Sequence, residues 1–346
     1  MSIIVIGAGA IGLLVAGKLS SVAQRVIVLG RPATAAALAQ DGLRITEGGR
    51  TRCIEGITVI TDPAELADAD RAPELAIVCV KGYDTASTLP TLAAPAPQHI
   101  LTLQNGIGNE ELLIERFGAT RIISGAITTS VELESAGHVI ATKIGGIGLA
   151  PLSTEAPATK WADTLRQAGF AVRTYPDYRA MKWSKALLNM LGNATAAILD
   201  MPVEAIYADR RLIALERQAF LEALRVMRKQ GIQPVNLPRY PAALLARAMR
   251  FVPARLLNPI LRQRIAGGRG GKPPSLHIDL MRGRRQSEGA LLYGAVVRAA
   301  EQIGVAAPVN RALWETLESI VTGKTAWDVY QRQPERLLRM IAGVGE

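Results

Sequence analysis

Six residues near the amino terminus, Gly7-Ala8-Gly9-Ala10-Ile11-Gly12, restrict what this chain can fold into more than any others do. They follow the short apolar run SIIVI and open the helical pattern AIGLLVAGKLSS. A GxGxxG motif alone is weak, but a strand before it and a helix after it form the context in which it holds a dinucleotide. Gly7 would make the tight turn, Gly9 would admit a pyrophosphate to the backbone, and Gly12 would let the helix close on its strand. The pyrophosphate then rests at the amino end of the helix, where unpaired N–H groups and the dipole favour an anion. An overlapping near-match to a P-loop, Gly12 to Lys18, fails. Leu19 stands where Ser or Thr would hold magnesium, and the residues fall inside the helix.

The rest of the first half keeps the same rhythm. SIIVIG, RVIVLG, ELAIVCV, HILTLQ and RIISGAIT are brief, Val/Ile-rich runs that read as buried strands, with helical patterns such as TAAALAQDG and NEELLIERFG between them. Strand–helix alternation implies a parallel sheet with helices on both faces, an α/β Rossmann-type doubly wound domain. ESAGHVIATKIGGIGLAP predicts a glycine-punctuated β-hairpin appended to that sheet, with one more helix and the strand FAVRTY after it. Asn109 reads as the N-cap of EELLIERFG.

The ends of the other strands specify the cofactor. Folds that prefer NAD usually carry an acid at the end of the second strand for the ribose 2′-OH, whereas an Arg suits a 2′-phosphate. Here the run is VIVLGRP, with Gly30 and Arg31 and no acid. A guanidinium can grip phosphate through paired hydrogen bonds, so NADPH is expected. Lys81 closes LAIVCVK and Gln104-Asn105-Gly106 closes ILTLQNGIG, both beyond strand ends where ligands of open α/β sheets bind.

After about Tyr175 the chain turns to long helices, which divides it into 1–175, a Rossmann domain, and 176–346, an all-helical domain for substrate binding and dimerisation. RRLIALERQAFLEALRVMRKQGI and GALLYGAVVRAAEQIGV end in glycine C-cap signals at Gly231 and Gly304. GGRGGKPP, 267–274, reads as a loop. KWSKALLNMLGNATAAIL, 182–199, reads as one helix carrying Lys185, Asn189 and Asn193 at four-residue spacing, on one face among apolar neighbours. An ammonium and two amides in that setting call for a chemical reason.

Composition excludes several classes. Hydrophobic residues make up 49% and charged residues 20%, so the chain is globular. Two cysteines, Cys53 and Cys79, supply neither a disulfide framework nor a metal site, and three separated histidines show no ligand spacing. The apolar start lacks a basic leader and is interrupted by glycines, and no other run reaches a membrane span, so a cytoplasmic protein is expected. The net charge of +10 is concentrated between Arg239 and Glu288, where eleven Arg and Lys stand against two acids. Without interleaved aromatics, that window reads as a solvated or subunit-facing helix pair and not as a nucleic-acid or membrane surface. The Leu-rich stretch at 240–261 predicts an apolar face for a homodimer.

Taken in order, GAGAIG, GRP, VCVKGYDT, LQNGIGN, KWSKALLNMLGN and PSLHIDLMRGRRQSE make the chain resemble the ketopantoate reductase family over nearly its whole length. The resemblance implies an NADPH-binding domain and a helical domain with the active site in the cleft between them. It implies reduction of a branched 2-oxo acid, a small anion, to the 2-hydroxy acid, ketopantoate to pantoate in pantothenate synthesis. Position by position, Lys185 would be the general acid, with Glu288 as its acidic partner. Asn189 and Asn193 would line the substrate site, Ser275 would hold the substrate carboxylate, and Lys81 and Asn105 would lie where nicotinamide meets substrate. The chemistry is coherent. Hydride transfer to a ketone builds negative charge on its oxygen, and an ammonium there stabilises the charge and donates the proton. Asn amides orient substrate without adding charge.

The chain also departs from the family pattern. One extra residue lies between Asp279 and Glu288, Gly289-Ala290 replaces an apolar residue and an acid, and Tyr293 stands where the family has Asn. The basic segment 239–272 reads as an enlargement of the helical domain. These changes lie on the substrate side, leaving open a reductase of another 2-oxo acid. A non-catalytic NADPH-binding sensor is the remaining alternative; it would have no use for a proton donor.

Overall fold

A computed structural model describes residues 1–266 and 273–343. The chain separates into two compact units, Met1–Lys182 with Leu237–Tyr240, and Trp183–Asn236 with Pro241–Glu346.

The first unit is built on β1 (Ser2–Ile6), α1 (Ala10–Leu19), β2 (Arg25–Leu29), α2 (Pro32–Asp41), β3 (Leu43–Glu47), β4 (Arg50–Ile54), β5 (Ile57–Ile60) and β6 (Leu75–Val78). It continues through α3 (Thr85–Ala93), β7 (His99–Thr102), α4 (Asn109–Phe117), β8 (Ile122–Ile127), β9 (Ser130–Ser135), β10 (His138–Lys143), β11 (Ile147–Pro151), α5 (Ala158–Gln167) and β12 (Val172–Thr174). The main sheet has the order β12-β11-β8-β7-β6-β1-β2-β5. From β5 to β8 all pairings are parallel, while β11 runs antiparallel to β8. The order of the six parallel strands reverses between β1 and β6, which is the switch point of a doubly wound Rossmann sheet.

One feature of this unit departs from the sequence reading. The hairpin β9–β10 does not join the main sheet; it pairs through β10 with β3 in a second sheet, β4-β3-β10-β9. Only β11 returns to the main sheet. The small sheet covers α1, whose residues Gly12 to Leu19 are all buried. Leu13, Leu14 and Val15 share one core with Ile3 and Val5 of the main sheet and with Ile45 and Val139 of the small one. A helix apolar all round is a helix buried all round, which accounts for the leader-like start of the chain.

The second unit is helical: most of α6 (Tyr178–Met190), then α7 (Asn193–Leu199), α8 (Val203–Ile206), α9 (Arg210–Lys229), α10 (Ala242–Phe251), α11 (Ala254–Leu261), α12 (Ser275–Met281), α13 (Gly289–Gln302), α14 (Pro308–Val321) and α15 (Pro334–Ala342). The expected C-caps are present: Gly231 and Gly304 have φ of 72° and 65° just past α9 and α13. The single helix expected over 182–199 is two helices. Gly192, with φ of 66°, divides α6 from α7. In the basic segment, α10 and α11 bury Ala242, Ala246, Met249 and Leu257 and expose Leu244, Phe251, Leu256 and Ile260. The loop expected at 267–274 lies outside the described residues except for its two prolines. Among the described residues, no helix is long and apolar enough to cross a membrane.

Candidate active site

Four adjacent parallel strands, β7, β6, β1 and β2, end on one edge of the main sheet, and each carries a residue singled out above. At β1, Gly7 has φ of 107°, and a Cβ there would sit 2.8 Å from the amide nitrogen of Val80. A Cβ on Gly12 would sit only 1.9 Å from the carbonyl oxygen of Gly7, so α1 can close on the turn only as glycine. Gly9 is the opposite case: a Cβ there would meet nothing within 4 Å. The backbone is thus open at the amino end of α1, beside Ala8, Ala10 and Ile11, as a pyrophosphate cradle requires. At β2, a Cβ on Gly30 would come within 2.7 Å of the Cβ of Ala8, so the residue before exposed Arg31 packs directly on the glycine turn. These features fit a dinucleotide.

Lys81 follows β6 and Asn105 follows β7, both half-buried. The buried Gln104 ties their loops together: its Nε2 donates to the hydroxyl of Thr85 at 2.8 Å and to the carbonyl of Val80 at 3.2 Å. Lys182 of α6 donates to the carbonyl of Gln104 at 2.6 Å and pairs with Glu110 at 3.0 Å, both side chains being almost fully buried. Ser124 donates to the same Glu110 oxygen at 2.7 Å. Asn109 does not cap its own helix; its amide reaches back to the carbonyl of Asn105 at 2.9 Å. The peptide groups on either side of the Asn105 side chain are therefore held, one by Lys182 and one by Asn109. Cys79, beside Gly12 at the end of β6, has its thiol pushed up to about 12 by burial and is no nucleophile at neutral pH.

In the helical unit, Lys185 and Asn189 are one turn apart on α6 and half-buried. Asn193 is not next in their row; it is the first residue of α7, and its side chain is buried. Its Nδ2 donates to the carbonyl of Asn189 at 2.9 Å and to the hydroxyl of Ser275 at 3.4 Å, while its Oδ1 accepts the Leu276 N–H at 3.1 Å. Asn189, Asn193 and exposed Ser275 are thus gathered in one place. Glu288, buried, stands immediately before α13.

Sequence reasoning missed Lys182, Glu110 and the work of Gln104. The one available signal was a second lysine, three residues before Lys185, in an otherwise apolar stretch. Its partner lies in another helix, and nothing in the local pattern points there.

The chain and its fold have clear counterparts. The family described as Ketopantoate reductase PanE/ApbA matches residues 3–154, and its C-terminal counterpart matches residues 177–321. The chain is 31% identical over 324 residues to a 2-dehydropantoate 2-reductase of Halobacterium salinarum, spanning 90% of this chain and 96% of that one. A crystal structure of a PanE/ApbA family ketopantoate reductase from Ralstonia eutropha is 25% identical, with a TM-score of 0.78 over 94% of this chain and 99% of its own. D-mandelate dehydrogenase, in its ternary structure with NADH and anilino(oxo)acetate, shares the fold at 22% identity and a TM-score of 0.77, over 93% and 99% of the two chains.

Proposed function

The chain belongs to the ketopantoate reductase family, and on that premise we propose that it reduces ketopantoate, a branched 2-oxo acid, to pantoate with NADPH. It is an oxidoreductase of the C=O/CH–OH class, and its cofactor is a nicotinamide dinucleotide. The observation that carries the substrate reading is the polar set of the helical unit: Lys185 one turn from Asn189, with Asn189, Asn193 and Ser275 joined by hydrogen bonds.

NADPH, when bound, supplies the hydride. Gly7, Gly9 and Gly12 would hold its pyrophosphate at the start of α1, and Arg31 would hold its 2′-phosphate. Lys81 and Asn105, just beyond the ends of β6 and β7, would lie where nicotinamide meets substrate. Lys185 donates a proton to the carbonyl oxygen as charge builds there, work worth roughly 10² to 10⁴ in rate. Glu288 would be the acidic partner of Lys185. Asn189 orients the substrate, and Ser275, steadied by Asn193, donates a hydrogen bond to its carboxylate.

A different 2-oxo acid is the second reading, favoured by the departures from the family pattern at Gly289-Ala290 and Tyr293 in the helical unit. Loss of NADPH absorbance on adding ketopantoate tests the first, with NADH and Lys185→Ala in parallel. NADPH-preferring turnover that falls by roughly 10² or more in the variant, with NADPH binding unchanged, is the expected result. Binding of NADPH without turnover of ketopantoate rejects the substrate, and turnover that survives in Lys185→Ala rejects the acid.

A further inference from the structure

The break between α6 and α7 turns the polar residues of the helical unit, and besides Asn193 it is held by side chains that belong to neither helix. Ending one helix and starting another within two residues strands carbonyls on one side and N–H groups on the other. Here those groups are buried, away from water that could satisfy them. Tyr293 of α13, 1% exposed, donates its hydroxyl to the carbonyl of Met190 at 2.6 Å and accepts the N–H of Ala194 at 3.1 Å. Glu216 of α9, 4% exposed, accepts the N–H of Gly192 at 2.6 Å and also the hydroxyl of Thr195. Packing supports the turn as well: a Cβ on Gly192 would sit 3.1 Å from Cγ1 of Val203 and 3.2 Å from Cε2 of Tyr207.

A straight helix would leave Asn193 in the row of Lys185 and Asn189, and α12 would lose its anchor at Leu276. The break instead directs Asn193 onto Ser275. We infer that Tyr293 and Glu216 are positioning residues for the reduction, holding the break so that Asn189, Asn193 and Ser275 meet the substrate in one fixed arrangement. The inference rests on the proposed reaction for its catalytic half; the holding of the break is a separate, directly measurable claim. It also gives a use to Tyr293, where the chain departs from the family pattern: a phenol reaches both stranded groups at once.

Tyr293→Phe tests it, because the ring stays in the core and only the bridging oxygen is lost. Hydrogen exchange of the Gly192 to Thr195 amides should accelerate by about tenfold, with exchange elsewhere in the unit little changed. The kcat should fall roughly tenfold to a hundredfold, as small misplacements of substrate-orienting groups do, with the Kd for NADPH within about twofold. Glu216→Gln, which keeps the shape and one acceptor, should move both readouts the same way by less. Leu337→Val, a core change in α15, serves as the control for a merely structural loss and should leave kcat alone. Unchanged exchange at 192–195 overturns the clamp. Faster exchange with an unchanged kcat, or an equal fall in kcat in the Leu337→Val protein, overturns its role in positioning. A wild-type protein that turns over no 2-oxo acid sinks the proposed reaction and the catalytic half with it, while the exchange measurement still decides the clamp.

Discussion

Arg31 is the residue on which the proposed preference for NADPH rests, and its setting is defined by its neighbour. Gly30 has no side chain because one would collide with Ala8, so the chain at the end of β2 lies against the glycine turn and delivers Arg31 next to it. A guanidinium there would recognise a 2′-phosphate by charge-assisted hydrogen bonds, which a 2′-hydroxyl could not return at equal strength. Arg31→Ala is expected to weaken NADPH binding by roughly tenfold to a hundredfold while leaving NADH nearly unaffected. Titration of cofactor fluorescence with the two dinucleotides measures this directly; equal loss for both would mean that Arg31 does not discriminate. At this scale the glycine motif was legible because Gly7 and Gly12 answer steric demands that the motif encodes, while Gly9 leaves the backbone open. Asn109 was not. Its place at a helix start matches an N-cap, and only the fold reveals that its amide serves Asn105 instead.

Among elements, the buried pair of Lys182 and Glu110 joins α6 to α4 and carries the Gln104-Asn105 turn with it. Removing one partner leaves the other charge buried without compensation, at a cost of about 3–5 kcal/mol. Lys182→Met and Glu110→Leu should each show a loss of that order in urea unfolding. The double variant should lose less than the sum, because neither charge is then stranded. Strictly additive losses would show that the two do not act as a pair. Most strands of the main sheet were readable from their apolar rhythm, though β5 was not, and the small sheet as a sheet was not. β4 is the exposed, polar RTRCI, and β10 pairs with β3 across a long stretch of chain, so neither that strand nor that pairing announces itself locally. The break at Gly192 was hidden for a related reason. A lone glycine within an apolar helical pattern is tolerated often enough that the pattern alone predicts continuity. What makes it a break is supplied from α9 and α13.

For the molecule as a whole, pH reaches stability through a carboxyl far from the reacting groups in sequence. Glu222, buried in α9, accepts the N–H groups of Val309 and Asn310 at 3.1 and 3.0 Å and the Asn310 amide at 2.7 Å, fastening the start of α14. Those bonds favour the carboxylate, yet burial outweighs them and raises its pKa above the ordinary 4.5. The unfolded chain therefore ionises this group first as pH rises. Between the unfolded value and the higher folded one the native state holds more protons, so its stabilising contribution is full below about 4.5 and declines as pH rises through the folded pKa. Carboxylates with lowered values, such as Glu74 beside Lys160, act in the opposite sense and only as pH falls below the ordinary range. Comparing wild type with Glu222→Gln cancels their contribution. The stability of wild type relative to the variant, from urea unfolding at a series of pH values, should rise as pH is lowered from 7 towards 4.5. A difference that stays flat, or falls, would mean that the three hydrogen bonds at the head of α14 govern this carboxyl and that its burial does not.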